Sequence, residues 1–312
     1  MTRADFDKLL ADEVSRQGVR VDFATEVIDV AFDGTDSTTT VRHTSGATEQ
    51  IRARFLVDAS GYGRVLPRLF GLDRPSALPP RRALFGHFDD PHRAAVHEPN
   101  RIQIISHTAD VWAWVIPFSN GLTSVGFVGS PEHFEGLGDD DEASLRALIE
   151  REVNTRDRFR DNRIALGPRT LGGWSVTTER FFGPGFVLTG NVTEFLDPIF
   201  SSGVTLATVS GHRAGVLAAE QLLGRSVDWE KEFVEPTQRG VATFRSYVFA
   251  WYDGSLQDII YAQDPDPDVK RMICSVLAGY VWDQDNPFVR RHRAAIAAVS
   301  RAIRVRGRRG EG

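Results

Sequence analysis

Residues 201–203, Ser-Ser-Gly, stand just after an Asp-Pro pair, Asp197 and Pro198, and open a run with helical spacing that stops at Gly224. A glycine-bearing turn that feeds a helix amino end presents backbone N–H groups without intrahelical partners, together with a partial positive charge. Such an end suits an anion or a polarised carbonyl. Gly203, Ala207, Ser210, Gly211, Ala214, Gly215 and Ala218 keep the helix thin, so a sheet or a planar cofactor can approach it closely. A second constellation is "VWAWVIP" at 111–117, which places two of the chain's six tryptophans two positions apart, on one face of a strand. Two indoles there serve either core packing or a platform for something flat.

The elements that must position these residues are legible in part. Phe6, Leu9, Leu10 and Val14 recur at helical spacing, with Gly18 where a left-handed cap would end the helix. "VRVDFATEVIDVAFDG", "TTTVRHTSG" and "EQIRARFLVDASG" predict a small hairpin leading into a buried strand that ends at Asp58. "RALFGHF", "RIQIIS", "VWAWVIP" and "TSVGFVG" are short, β-rich and separated by turn residues, so a second, antiparallel sheet is expected. "DDDEASLRALIEREV" predicts a surface helix with Leu145, Leu148 and Ile149 on one face. "GFVLTGN" returns to a buried strand, and helical periodicity dominates after Trp229. There, Phe244, Tyr247, Trp251 and Tyr252 either line a pocket or pack in a helical core.

Composition narrows the classes. With 312 residues, 41% hydrophobic and 25% charged, the chain can bury a sizeable core. It has no long apolar run and no secretory leader at its start, so neither membrane insertion nor export is expected, and a cytoplasmic location is the default. A net charge of -5 argues against a phosphate-tracking, nucleic-acid-binding surface. The single cysteine, Cys274, offers neither an intramolecular disulfide nor a cysteine-based metal cluster, and reads as a small core residue. Lysine occurs only at 8, 231 and 270. The last segment, "RRHRAAIAAVSRAIRVRGRRG", carries Arg290, Arg291, Arg293, Arg301, Arg304, Arg306, Arg308 and Arg309 with apolar residues interleaved. It reads as a solvated tail or as a face for an acidic partner such as a carrier protein.

"FLVDASGYGRVLPRLFGL" and "GFVLTGNVTEFLDPIFSSGVTLATVSGHRAG" resemble the second and third cofactor segments of the hydroxybenzoate-hydroxylase-like FAD enzymes. "VWAWVIP" resembles the Trp-x-Trp-x-Ile-Pro signature of the flavin-dependent halogenases in that group, through Trp112, Trp114, Ile116 and Pro117, and "VWDQDNPFV" is similar to the phenol and pyrrole branch. The resemblance implies a mixed α/β and α+β fold. It comprises a partial, discontinuous FAD-binding Rossmann-like domain (1–75 and 180–225), an antiparallel substrate-side sheet with an inserted helix (76–179) and a helical C-terminal region (226–312). It assigns cofactor-binding roles to Asp58, Ser60, Gly61, Gly190, Asn191, Asp197, Pro198 and Gly203, and a halide-binding loop to Ser201, Ser202 and Gly203. Asn191 stands where the family has aspartate, exchanging a charge for an amide.

The resemblance further implies FAD, delivered reduced by a separate flavin reductase, with chloride or bromide and no metal. The substrate is expected to be an electron-rich phenol or pyrrole, free or on an acyl or peptidyl carrier protein. Phe200 replaces the glutamate that assists the arene in tryptophan-type members. In the family the Trp-x-Trp strand lines the flavin side and obstructs direct substrate access. No Gly-x-Gly-x-x-Gly follows a strand, and none of Lys8, Lys231 and Lys270 lies in the context of the family's catalytic lysine. The segments that carry both features are expected upstream, on the order of 100 residues including a βαβ unit. Alternatives on the same fold are a flavin monooxygenase or prenyl reductase; another is an inactive, truncated fragment with exposed apolar sheet edges.

Overall fold

The computed structural model describes residues 2–310, with side chains described as far as Arg306, so Arg308 and Arg309 of the basic tail lie outside the described side chains. In chain order, helix α1 (Arg3–Arg16) precedes β1 (Thr25–Asp33), β2 (Asp36–His43), β3 (Thr48–Ala53), β4 (Leu56–Asp58), α2 (Val65–Leu69) and β5 (Asp73–Pro75). Next come β6 (Arg82–Asp89), β7 (Gln103–Ser106), β8 (Trp112–Pro117), β9 (Leu122–Gly129), α3 (Asp141–Arg151), α4 (Arg156–Phe159) and β10 (Ile164–Gly172). Then follow β11 (Val176–Thr178), β12 (Phe182–Gly183), β13 (Phe186–Leu188), α5 (Ser202–Leu222), α6 (Glu235–Tyr252), α7 (Ser255–Ile260), α8 (Pro267–Leu277), α9 (Pro287–Arg290) and α10 (His292–Gly310).

The chain divides into two compact units. One contains the residues up to Thr25 and Pro79–Gly173. Its antiparallel sheet has the order β10-β6-β9-β8-β7, and includes all four strands expected from the alternation between 81 and 129. The fifth, β10, is not visible in the sequence pattern, because Gly167-Pro168 interrupts "IALGPRTLG" and the pairing with β6 is irregular between Leu166 and Arg169. One sheet face packs Leu84, Phe88, Ala113, Val115, Val125 and Phe127 against Leu145, Leu148 and Ile149 of α3 and Phe159 of α4. The Asp140 side chain caps α3 by accepting from the Ala143 N–H at 2.8 Å, as the acidic run before the helix leads one to expect. Helix α1 differs from its prediction: the Thr2–Asp5 capping box is present, but no residue of the helix is buried, and Leu9 is 55% exposed. It is supported by caps and by surface pairs such as Arg3–Asp7 at 2.6 Å.

The second unit holds Glu26–Leu78 and the chain from Trp174 onward. It contains the β1-β2-β3 meander and a small sheet of order β12-β13-β4, in which β13 and β4 run parallel with Leu188 opposite Asp58. β4 is an edge strand whose Val57 is 41% exposed, so an apolar edge is open on this face. Helix α5 covers the sheet through Ala214, Leu217 and Ala218, which pack with Val187, Trp229 and Phe233. Gly254, at φ +82°, separates α6 from α7. Phe244, Tyr247 and Trp251 are buried core residues of α6. Cys274 is exposed, against the expectation of a core position. On α8 the inward residues are Ile273 and Val276, and a residue one step past Ile273 is rotated by about 100° from it.

Beneath the first unit's sheet lies a buried carboxylate. Asp90 accepts from the Thr123 hydroxyl at 2.6 Å and from Arg158 Nε at 3.1 Å. Burial alone would raise its pKa, but Arg158 and Thr123 outweigh that effect and hold the group below the ordinary carboxylate value. A carboxylate with a depressed folded-state pKa contributes stability above its unfolded pKa and loses it as pH falls through the folded one. Asp90→Asn, which strands the Arg158 charge, is therefore expected to cost about 3 kcal/mol at pH 7. In urea unfolding the gap to wild type should narrow as pH falls below about 4.

Candidate functional site

The motif residues of the second unit converge on the amino end of α5. Thr189, just after β13, donates its N–H to the Asp58 carbonyl at 3.0 Å, continuing the parallel ladder. Gly190 then turns at φ +63°, where an added Cβ would lie 3.2 Å from the Ala207 Cβ. The buried Ser210 hydroxyl accepts from the Gly190 N–H at 3.0 Å and lies 2.7 Å from Thr189 Oγ1. The small residues of α5 thus admit the strand end, as their spacing predicts. Asn191 follows, and its Oδ1 lies 3.7 Å from the place a Cβ on Gly203 would occupy. Gly190–Asn191 and Ser201–Gly203, separate in sequence, are brought together.

Most motif side chains here shape backbone. Asp58 is buried, and its two oxygens accept from the Ser60 and Leu66 N–H groups, each at 2.8 Å. Ser60 Oγ accepts from the Val65 N–H at 2.9 Å. Gly61 opens the one-turn helix 61–63, which lies against the turn at 190–192. Asp197 is buried; it caps the turn at 198–200 by accepting from the Ile199 N–H at 3.0 Å, and its other oxygen accepts from the Tyr252 hydroxyl at 2.9 Å. Pro198 is the first residue of that turn. Ser201 then takes a left-handed conformation, φ +51°, and no side chain caps α5. The first N–H groups of a 21-residue helix are thereby left for an external acceptor. Phe200 packs edge-on to Tyr247 and Trp251, with ring centroids 6.3 and 6.2 Å away.

Arg64 is a participant that the sequence pattern did not single out. It sits at φ +44° after the Gly-Tyr-Gly turn, nearly buried. Its guanidinium pairs with Asp73 and donates to the Val192 carbonyl at 3.0 Å and Thr178 Oγ1 at 2.8 Å. It ties the 61–63 turn to the 190–192 turn and to β11. An arginine in that role carries no periodic signal; the Asp nine residues later is its one trace in the sequence.

The tryptophan motif belongs to the first unit. Val111, Ala113 and Val115 point into the α3 core, so Trp112, Trp114 and Ile116 occupy the other face of β8. Trp112 is buried; Trp114, Ile116 and Pro117 are partly exposed. The two indoles lie 5.7 Å apart, and Trp114 is also 5.7 Å from Phe85. Gly126, directly across from Trp114, supplies the space: a Cβ there would meet the indole and would lie 2.6 Å from the Phe85 Cβ. The Trp114 Nε1–H donates to Ser124 Oγ at 3.0 Å, fixing the ring plane.

Residues 1–260 match the tryptophan halogenase family. The chain belongs to that family. Among relatives of this tryptophan halogenase family member, a 1H-pyrrole-2-carbonyl-[peptidyl-carrier protein] chlorinase of Pseudomonas fluorescens is 24% identical, the match covering 84% of the present chain and 60% of the chlorinase. Flavin-dependent halogenase armH2 of Armillaria mellea is 27% identical, over 74% of this chain and 49% of its own. The chain thus spans about half to three fifths of these relatives' length. A flavoprotein/dehydrogenase from Cytophaga hutchinsonii superposes with a TM-score of 0.96 at 51% identity, covering all of this chain and 76% of that one. The myxobacterial chondrochloren halogenase CndH gives 0.73 at 27% identity, over 96% and 73%. The fold is that of the FAD-dependent halogenases, as the mixed α/β reading anticipated.

Gly126→Ala tests the tryptophan platform. The added methyl has no room beneath the indole, so a loss of about 2 kcal/mol is expected in thermal or urea unfolding. An altered tryptophan fluorescence spectrum should accompany it, and Trp114→Phe should remove most of that spectral change.

Proposed function

We propose that the polypeptide carrying this sequence is a flavin-dependent halogenase acting on an electron-rich aromatic, a phenol or a pyrrole. The observation that carries this reading is the amino end of α5, which follows a left-handed serine, lacks a side-chain cap and lies beside Asn191. Gly190, Asn191 and the backbone of Ser201, Ser202 and Gly203 would hold FAD on this side, with chloride or bromide at the 201–203 loop. Asn191 offers an amide donor and acceptor to a ribityl hydroxyl. Held there, FAD in its reduced form would supply the two electrons by which dioxygen, a halide ion and a proton would give hypohalous acid and water, with FAD left oxidised. The aromatic C–H then exchanges its hydrogen for halogen, and a second water leaves.

The chain's own residues set the conditions for that chemistry. The N–H groups and dipole of α5 are oriented before any anion arrives, so stabilising negative charge there requires no reorganisation. Phe200 supplies no carboxylate just ahead of the 201–203 loop, which favours a ring that is already electron-rich. Trp114, partly exposed and backed by the buried Trp112, presents a rigid apolar surface for an aromatic ring. A flavin reductase is the partner this reading requires. Pyrrole on a peptidyl carrier protein is the substrate named for the chlorinase relative, and carrier-bound pyrrole is one substrate we include here. Hydroxylation or prenyl reduction on the same fold is the rival reading.

Halide dependence separates them. With photoreduced FAD, air, bromide, and phenol or pyrrole, mass spectrometry should show products carrying the two-isotope bromine signature and requiring bromide. Hydroxylated products formed equally well without halide would overturn the proposal.

A further inference from the structure

The sheet face that carries Trp114 also holds groups that the flavin chemistry leaves unused. Residues directly opposite one another in neighbouring antiparallel strands project to the same side. Arg169 faces Phe85, Phe85 faces Gly126, and Gly126 faces Trp114; one row along, His87 faces Ser124 and Ser124 faces Ile116. One side of the sheet therefore brings together Arg169, Phe85, His87, Trp114 and Ile116. Phe118 closes it, its ring meeting the His87 imidazole edge-on at 5.0 Å. The aromatic members Phe85, Trp114 and Phe118 are partly exposed, as is His87.

Two polar groups stand out against this apolar surface. The Trp114 N–H is committed to Ser124, but neither ring nitrogen of His87 has a hydrogen-bond partner among the described residues, and neither is buried. Burial, then the nearby Arg169 cation, lowers the His87 pKa, so at pH 7 the imidazole is neutral and one nitrogen is free to accept. Arg169 is exposed and has no carboxylate partner among the described residues. The other charges at this edge, Asp89 and Arg163, pair with each other at 2.7 Å.

We propose that this face is a subsite for a planar aromatic acid bearing a ring O–H or N–H: ring against Trp114 and Phe85, carboxylate toward Arg169, and acidic hydrogen toward His87. A hydroxylated benzoic acid or a pyrrole carboxylic acid has this chemistry. The assignment rests on the reading that the polypeptide acts on an aromatic, and it names that substrate's class. His87 acts on the ring in a defined way. As a ring carbon takes halogen from hypohalous acid, breaking its O–X bond and releasing hydroxide, the ring O–H or N–H hydrogen passes to the free imidazole nitrogen and its electron pair stabilises the positive charge on the ring; the proton on the halogenated carbon then leaves with the hydroxide as water, and the imidazolium returns its proton to the ring heteroatom.

Binding tests this without flavin or halide. By titration calorimetry at pH 7, 4-hydroxybenzoate should bind about ten-fold more tightly than its methyl ester, the size of one hydrogen bond to a charged group. Arg169→Gln should abolish that preference. His87→Phe should weaken 4-hydroxybenzoate about ten-fold while leaving benzoate, which lacks the hydroxyl, unchanged. Both side chains are partly or fully exposed, so the variants should fold, and thermal unfolding checks that they do. Acid and ester binding alike, no binding of the acid, or His87→Phe weakening benzoate equally would each overturn the subsite. Acid binding without turnover would instead count against halogenation alone, and bromination of phenol without acid binding would count against the subsite alone.

Discussion

The second unit depends on one close approach, that of the end of β13 to helix α5. Gly190, at φ +63°, comes so close that an added Cβ would lie 3.2 Å from the Ala207 Cβ, and the Ser210 hydroxyl, buried inside the helix face, accepts from the Gly190 N–H. A larger residue at 207 or 210 would push the strand end away. With the approach in place, Asn191 is carried to the amino end of α5, and the turn at 198–201 can start the helix without a side chain capping it. Asp58, Asp197 and Arg64 act as braces: each spends its charge on backbone groups or on a neighbouring side chain, holding turns that glycine alone would leave loose. The chemistry left available is that of the backbone, which is what an anion or a cofactor carbonyl meets best.

The first unit solves a different problem. Its sheet has aliphatic and phenylalanine side chains against α3 on one side and aromatic residues on the other, so Ala113 and Val115 alternate with Trp112 and Trp114. A flat indole can lie over a strand only where the opposing residue has no side chain, and Gly126 is that residue. The result is a fixed platform with an imidazole and a guanidinium at its edge.

Much of this was legible in sequence because it rests on short-range rules. The four strands from 82 to 129, the acid-capped α3 and the thin α5 follow from alternation, capping and small-residue placement, whereas the helical periodicity after Trp229 runs on through Gly254, where the chain breaks at φ +82°. Strand β10 escaped because Gly167 and Pro168 break its alternation, and α1 looked amphipathic although no residue of it is buried. Cys274 was misplaced because a small apolar residue beside core positions carries no information about which way it turns on α8. Arg64 and His87 carry no local signal for a related reason: Arg64 finds carbonyl acceptors 113 to 128 residues away, and His87 meets its sheet neighbours across strands, and no spacing encodes either. The family motifs pointed to Asp58, Ser60 and Asp197 as cofactor contacts; their side chains turn out to be engaged within the chain, and the turns they hold carry the candidate site.

Whether the amino end of α5 receives the flavin is read out by FAD titration, followed through quenching of flavin fluorescence. Gly203 has an ordinary backbone conformation and room for a Cβ, so Gly203→Val should fold, which thermal unfolding checks. Wild type should quench FAD fluorescence, and the variant should bind FAD at least about ten-fold more weakly, a loss of about 1.4 kcal/mol. Equal FAD affinity in the two proteins would contradict this placement of the flavin.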